Sequence, residues 1–403
     1  MHMQSVRTDV AALVDDDPRK HAFRVHRDAY VDQGVFELEI DRFFHHGWVY
    51  AAHESQLPAA ASFVSTTLGR QPVLITRGSD GQLRGFFNRC RHRGAVVCKE
   101  RQGQSDNFRC PYHGWSFKGD GSLAGLPGPD GYGADFPRAE MGLVPVAELA
   151  SYRGFIFVSL ARPDVDLQTH LGQARVFLDR LCDQRPQGLS VVPGTTRYGF
   201  DANWKLQIEN ALDFYHLPVV HRSFFEIKRA RGESGKMTVR DFATDQCVAL
   251  ERGHGTVLAS DANGHVHQHL FIFPNLVILE NPAPQLRVIF PQRVDRTEIE
   301  GLAFFSADAG EAERSRLLGL YERFYGPMGF GTPDDIEIFR ACMNGFMAEA
   351  APWNDFSRGY HRELDHLPNG DAAAVMACGN ITDETFVRGL YRWWMNALRD
   401  VRA

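Results

Sequence analysis

Residues 90–115 read CRHRGAVVCKERQGQSDNFRCPYHGW, and the spacing Cys-x-His, seventeen residues, Cys-x-x-His limits what this chain can fold into. Cys90 and His92 offer one thiolate and one imidazole, and Cys110 and His113 offer another such pair. A fold that closes the intervening gap brings these metal-type donors to one place. The chain of 403 residues has 7 cysteines, an odd number spread widely, unlike a secreted disulfide framework. In a reducing compartment, clustered Cys and His more often mean metal.

Bulk composition narrows the class further. With 44% apolar residues, 23% charged residues and a net charge of -6, the chain reads as an ordinary globular protein. A mildly acidic chain has no broad attraction to nucleic acid or to an anionic membrane. No apolar run approaches a membrane span, and the N-terminus MHMQSVRTDVAALVDDDPRKH lacks the apolar segment of a signal peptide. The expected location is cytoplasmic, with no nucleic-acid or membrane partner.

The length allows two domains. Residues 1–40 read as a polar, helical segment packing on the second domain. From about residue 62 the pattern is short and β-like: SFVSTTLG, PVLITR and LRGFFNR are separated by turn signals. A long Gly/Pro-rich loop covers 119–137, and RGFIFVSLA (153–161) closes the region. Residues 204–226 read as largely helical, strands dominate 237–307, and a helical part begins near Glu311. Grouped strands followed by helices predict an α+β second domain. The expected division is 1–40, 41–160 and 161–403.

Two loops that each carry one Cys and one His match a Rieske [2Fe–2S] centre, in which two Cys hold one iron and two His the other. Gly94 and Gly114 follow the histidines and let backbone amides approach the sulfides. Structural zinc is the competing reading, since two Cys and two His also make a tetrahedral site. Common zinc patterns, however, pair Cys with Cys and His with His. Cys98, between the loops, is not needed as a ligand and reads as a small buried apolar residue.

A second constellation lies in NWKLQIENALDFYHLPVVH (203–221). On an unbroken helix Glu209, Asp213 and His216 share a face. Pro218 then bends or ends the helix so that His221 can converge on His216. Two His and one carboxylate on one face, with open positions opposite, suit non-haem Fe(II). The carboxylate candidates are Asp334 and Asp335 in GTPDDIEIFRAC, where Thr332 as N-cap and Pro333 mark a helix start. Their bland reading is that both offset the helix dipole. No Gly-x-Gly-x-x-Gly fingerprint marks a strand–helix turn, so no bound nicotinamide or flavin is expected.

Together GWVYAAHESQLP, NRCRHRGA…CPYHGWSF and NWKLQIENALDFYHLPVVH resemble the α (oxygenase) subunits of Rieske non-haem iron aromatic-ring-hydroxylating oxygenases, over nearly the whole chain. The resemblance implies an all-β Rieske domain plus a helix-grip (START-like) catalytic domain with an antiparallel sheet. It implies that Cys90 and Cys110 ligate one cluster iron and His92 and His113 the other, with Tyr112 and Trp115 in the packing shell. His216, His221 and Asp335 would hold mononuclear Fe(II), Asp335 being preferred over Asp334. Asn210 would lie near the iron. Asp213 would link a triad histidine to a cluster histidine of a neighbouring subunit in a head-to-tail trimer, α3 or α3β3.

By the same resemblance, electrons would come from NAD(P)H through a separate reductase, with or without a ferredoxin, and O2 would meet an aromatic substrate in an apolar pocket. Pocket candidates are Leu212, Phe214, Val219, Phe224, Phe225, Phe273 and Phe290, with Arg222, Lys228 and Arg229 available to a substrate carboxylate. The expected reaction is cis-dihydroxylation of an aromatic carboxylate. The alternatives are a Rieske monooxygenase (ring hydroxylase or demethylase) and an electron-transfer Rieske protein. The iron-ligand motif and the length of chain beyond the cluster argue against the last of these.

Overall fold

The computed structural model describes residues 9–232, 238–260, 266–326, 328–368 and 373–399. The outermost residues of the expected N-terminal segment (1–8) and catalytic part (400–403) lie outside the described residues. The chain divides into two compact units, Phe43–Leu167 and Met1–Arg42 with Gln168–Ala403.

The sheets of the smaller unit are all antiparallel. A four-stranded sheet runs in the order Leu83–Phe87, Gln71–Arg77, Ser62–Leu68, Gln102–Gln104. A three-stranded sheet holds Glu148–Tyr152, Phe155–Ser159 and Val49–His53, and another holds Leu123–Gly125, Ser116–Lys118 and Asn107–Arg109. β-branched and aromatic residues are frequent in the longer of these strands, such as SFVSTTL (Ser62–Leu68) and FIFVS (Phe155–Ser159), as a pleated, half-buried surface favours. Their inward faces form a core of Phe63, Leu74, Phe86, Phe108, Trp115 and Phe117 that also contains Cys90, Cys98 and Cys110. Each large side chain so buried contributes roughly 1.5–3 kcal/mol. The long 119–137 loop folds back on this core, placing Tyr132 and Phe136 edge-on to Trp115 at 6.0 and 6.1 Å.

The larger unit is built on an antiparallel sheet. Its strands are β1 (Leu189–Val191), β2 (Thr196–Phe200), β3 (Gln246–Ala249), β4 (Gly255–Ser260), β5 (Val266–Ile272), β6 (Leu276–Leu279), β7 (Gln285–Arg293), β8 (Arg296–Ser306) and β9 (Ala377–Asn380). The order is β1-β8-β7-β6-β5-β4-β3-β9, with β2 also on β8. The helices used below are α1 (Trp204–Ala211), α2 (Leu217–Val220), α3 (Arg222–Ala230), α4 (Thr332–Gly345) and α5 (Thr385–Arg399). Phe386, Leu390, Tyr391, Trp394 and Leu398 make one buried stripe on α5, which packs on β3, β4 and β9. Gly255 permits this close approach, since a Cβ there would strike the Phe386 ring.

A buried ion pair ties three segments of this unit together. Lys205 on α1 meets Glu39 at 2.6 Å, and Glu39 also accepts from Trp204 Nε1 at 2.8 Å and Trp394 Nε1 at 2.6 Å. Every lone charge is thereby matched, and removing either ion would cost about 3–5 kcal/mol.

Two local expectations are corrected. Residues 1–40 are not helical throughout: Val14–Asp17 and Ala22–His26 form an antiparallel hairpin extended by Trp353–Asp355, and helix is limited to a 3-10 turn at Val10–Leu13, to Asp28–Val31 and to the segment after it. The period-two burial of Phe23 and Val25 around exposed Arg24 explains the strand, and Asp17 Oδ1 accepts the Arg19 and Lys20 amides to close the turn. The helix through 204–226 breaks upstream of Pro218. It ends at Ala211, because Asp213 Oδ1 captures the Tyr215 amide at 2.6 Å, and Pro218 instead opens α2.

Candidate active site

In the smaller unit the two Cys–His segments are near copies of one turn. Cys90 O accepts from the Gly94 amide at 3.0 Å, and the Cys90 amide donates to Ala95 O at 2.8 Å. Cys110 repeats this with the Gly114 amide at 3.1 Å and Trp115 O at 2.7 Å. Both glycines sit at positive φ, +78° and +72°, where another residue would be strained. The turns aim their donors at each other. Burial pushes the Cys90 pKa up, and the neighbouring Cys110 thiol adds to the rise. The His92 and His113 rings lie 4.5 Å apart, His92 stacks on Trp115 at 5.2 Å, and Tyr112 covers His113 at 3.8 Å. His92 Nδ1 is buried with no hydrogen-bond partner in the protein. Paired thiols, paired imidazoles and an orphaned ring nitrogen fit a [2Fe–2S] cluster. Cys98 is buried beside this group, its thiol turned to Glu100 O at 3.4 Å.

In the larger unit His216 and His221 bracket the four-residue helix α2, and their rings lie 5.3 Å apart. Helix α4 supplies the acid. Its cap is Gly331, and Thr332 is the first helical residue with its hydroxyl donated to Tyr325 O, so the start lies one residue earlier than expected. Asp335 Oδ1 reaches His221 Nε2 at 3.2 Å and His216 Nε2 at 3.6 Å, and the donors of all three residues lie within 4.8 Å of one another. Two imidazoles and a carboxylate gathered so closely fit a divalent iron.

Outer carboxylates grip the far side of each ring. His216 Nδ1 faces Asp213 Oδ2 at 3.1 Å, and His221 Nδ1 faces Asp334 Oδ2 at 3.4 Å. Asp334 is thus neither a bystander at the helix start nor the inner acid. Asn210, at the end of α1, donates its amide to Asp335 Oδ1 at 3.1 Å and lies 3.2 Å from His216 Nε2. Burial alone would raise the Asp335 pKa, but the hydrogen bond from His221 and the nearby His216 and Arg287 hold it below the usual carboxylate range. Burial likewise pulls His216 down, but Asp213 outweighs it and raises the pKa. Glu209 faces elsewhere: it accepts from Tyr30 and Tyr391, and burial pushes its pKa up to about 7.

The three donors form one wall of a cavity of about 680 Å³. Of the residues expected in its walls, Phe214, Phe224 and Phe225 are there. Leu212 and Phe273 are core, Val219 is 77% exposed, and Phe290 is not among the lining residues. Arg222 is exposed and paired with Glu226, Arg229 lies off the cavity, and Lys228 is on its wall. The sequence reading missed Phe242, His269, Phe324, Tyr325 and Arg287. For Arg287 a signal existed: it is the charge inside the apolar run QLRVIF.

A sheet-borne cluster unit joined to a two-His, one-acid oxygenase unit is the plan of the Rieske non-haem iron oxygenases. Residues 47–151 match the Rieske [2Fe-2S] domain, and residues 190–400 match the ring hydroxylating alpha subunit (catalytic domain). The chain belongs to this ring-hydroxylating alpha-subunit family, and its cofactors are a Rieske [2Fe–2S] cluster and mononuclear non-haem iron. It is 33% identical to the 2-halobenzoate 1,2-dioxygenase large subunit of Burkholderia cepacia, over 99% of this chain and 94% of that one. It is 35% identical to toluate 1,2-dioxygenase subunit alpha of Pseudomonas putida, over 87% and 84%. The structure of naphthalene 1,2-dioxygenase from Rhodococcus sp. bound to indole superposes with a TM-score of 0.86 at 26% identity, covering 100% of both chains. Among the described residues no helix is long and apolar enough to cross a membrane.

Proposed function

We propose that this chain is the terminal oxygenase subunit of a system that cis-dihydroxylates an aromatic carboxylate with O2. One observation carries the reading: His216, His221 and Asp335 open onto a cavity of about 680 Å³ whose other walls are largely aromatic and apolar. That volume suits a small aromatic ring. Relatives named for 2-halobenzoate and toluate support a ring that bears a carboxylate.

In this reading Cys90 and Cys110 hold one cluster iron, His92 and His113 the other, and Tyr112 and Trp115 pack around them. His216, His221 and Asp335 hold the mononuclear iron. When bound, the cluster supplies electrons one at a time and the mononuclear iron supplies the place where oxygen is activated. The protein fixes the donors. Asn210 Nδ2 lies 3.2 Å from His216 Nε2 and Asp213 Oδ2 lies 3.1 Å from Nδ1, an arrangement that suits the tautomer with its proton on Nδ1 and leaves Nε2 for the metal. Asp334 Oδ2 faces His221 Nδ1 at 3.4 Å and so steadies that ring. Phe214, Phe224 and Phe225 keep water from the ring face. Electrons come from NAD(P)H through a separate reductase, with or without a ferredoxin. The working assembly is α3 or α3β3, in which Asp213 also meets a cluster histidine of the next subunit.

A single turnover tests this. Reduced protein is given 18O2 with benzoate, substituted benzoates and neutral hydrocarbons, and products are read by mass spectrometry. Two labelled oxygens in a cis-diol acid are expected. One labelled oxygen would make the enzyme a monooxygenase, and turnover of hydrocarbons alone would remove the carboxylate.

A further inference from the structure

Strand β7 reads QLRVIFPQR, and Arg287, within its apolar part, is 4% exposed. It reaches the catalytic cavity from the sheet, together with the His216, His221 and Asp335 wall. Its Nε donates to Gln285 Oε1 at 3.2 Å, and Gln285 Nε2 donates to Tyr321 Oη at 3.3 Å. Gly301, opposite Arg287 on β8, keeps this support open: a Cβ there would come within 2.6 Å of both Gln285 Nε2 and Tyr321 Oη. The Tyr325 ring lies 5.4 Å from the guanidinium carbon. The group is therefore held in place, not swinging.

What it lacks is an anion. Among the described residues no carboxylate reaches ion-pair distance of Arg287, and its Nη1 and Nη2 make no hydrogen bond. Asp335 is near enough to feel its charge, but Asp335 is already engaged by His221 and Asn210. A guanidinium stays protonated, and Nη1 and Nη2 are not sealed off from the cavity, so a ligand there can complete their donors. Its planar fork matches a carboxylate in bidentate fashion. Lys228 is the other permanent cation on the cavity wall among the described residues. It is only half-buried, and its Nζ rests over the Phe224 ring at 5.7 Å.

We propose that Arg287 is the specificity-determining anchor of the substrate: Nη1 and Nη2 take the two carboxylate oxygens and so set the ring against the His216–His221–Asp335 wall. This rests on the aromatic-carboxylate reading above and goes further by naming the group that selects it. Arg287 acts by binding and orientation, not on the reacting atoms.

The test is equilibrium binding of benzoate and of its neutral isostere benzamide to the iron-loaded oxygenase, with iron and cluster content measured alongside. Native protein is expected to favour benzoate by about 100-fold, the scale of a charge-assisted bidentate pair. Arg287→Gln should abolish that preference with metal content unchanged. Arg287→Lys should keep part of it, and Lys228→Gln should keep it all. Native-like benzoate preference in Arg287→Gln would overturn the proposal. So would loss of the preference in Lys228→Gln, which decides the matter even if Arg287→Gln fails to fold. Absence of any preference in the native protein would instead remove the carboxylate reading, leaving the oxygenase class in place.

Discussion

The two donor sets of this molecule are built on opposite plans. Each Cys–His turn closes on its own backbone, with hydrogen bonds from Cys90 and Cys110 to residues four and five further on. The oxygenase site joins α1, α2 and α4, and Asn210 and Asp335 touch although 125 residues separate them. A turn that closes locally carries its geometry with it. A site assembled across helices needs outer partners to fix each ring, and Asp213 and Asp334 are those partners. Damage should accordingly stay local in the first set and spread through the second.

The largest effect is expected from Asp335→Ala. Mononuclear iron and turnover should both vanish while the visible absorption of the cluster stays native. Metal analysis beside the spectrum checks this, and joint loss of both centres would mean that the two plans are not independent. Next come the outer carboxylates. Asp213→Asn should retain both metals yet lower turnover by about 100-fold or more, and Asp334→Asn by about 10-fold. The shorter contact of Asp213, 3.1 Å against 3.4 Å, motivates the ranking. Equal losses in steady-state rate would erase the distinction.

The same contrast explains what was legible in the sequence. The grouping of Cys90 with His92 and of Cys110 with His113 could be read because each pair lies within one short turn. His216 and His221 could be paired from the sequence, although the chain turns at Asp213 and not at Pro218, which starts the next helix. Asp334 and Asp335 looked alike because helix-start chemistry suits both, and only packing aims Asp335 at the two imidazoles. In the N-terminal sheet only the hairpin had a local signal, Phe23 and Val25 alternating with Arg24, whereas its outer strand, Trp353–Asp355, is remote in sequence. Arg287 was missed because a charge in a buried strand has meaning only once the cavity beside it is known.

Acid should separate the units more gently. In the larger unit His254 and His269 are pulled down to about 4, and His170 well below its ordinary value, all chiefly by burial. In the smaller unit His53 alone is pulled down to about 4, again by burial. His254 shows why protonation is resisted: its Nδ1 accepts the Phe273 amide at 2.9 Å and its Nε2 faces His170 O at 2.8 Å. Because the folded pKa lies below the unfolded one, this stability is complete above about pH 6.5 and falls as pH drops toward 4. Each histidine contributes about 1.4 kcal/mol per pH unit in that window. Glu209 and Glu384 of the same unit run the other way: burial pushes both up to about 7, so each adds stability as pH falls from 7 toward 4.5. Glu209→Gln removes one of these counterweights and should therefore steepen the fall of the larger unit's urea midpoint between pH 7 and pH 5, leaving that of the smaller unit, followed by cluster absorption, unchanged. An unaltered fall in Glu209→Gln would show that the buried carboxylate does not offset the imidazoles.

The smallest effect probes whether the two turns are truly copies. A Cβ on Gly94 would meet Arg89 Nη2 at 3.1 Å, and one on Gly114 would meet Arg109 Nη2 at 3.1 Å. Both neighbours are ends of flexible side chains, so backbone strain at positive φ should dominate, at about 1–2 kcal/mol for each glycine-to-alanine change. Gly114 has one further neighbour, Pro127 Cγ at 3.2 Å, which cannot swing away as an arginine can. Gly114→Ala should thus lower the thermal midpoint of cluster bleaching at least as much as Gly94→Ala, with mononuclear iron unchanged in both. A larger loss from Gly94→Ala would mean that the two turns, though alike in hydrogen bonding, carry unequal strain.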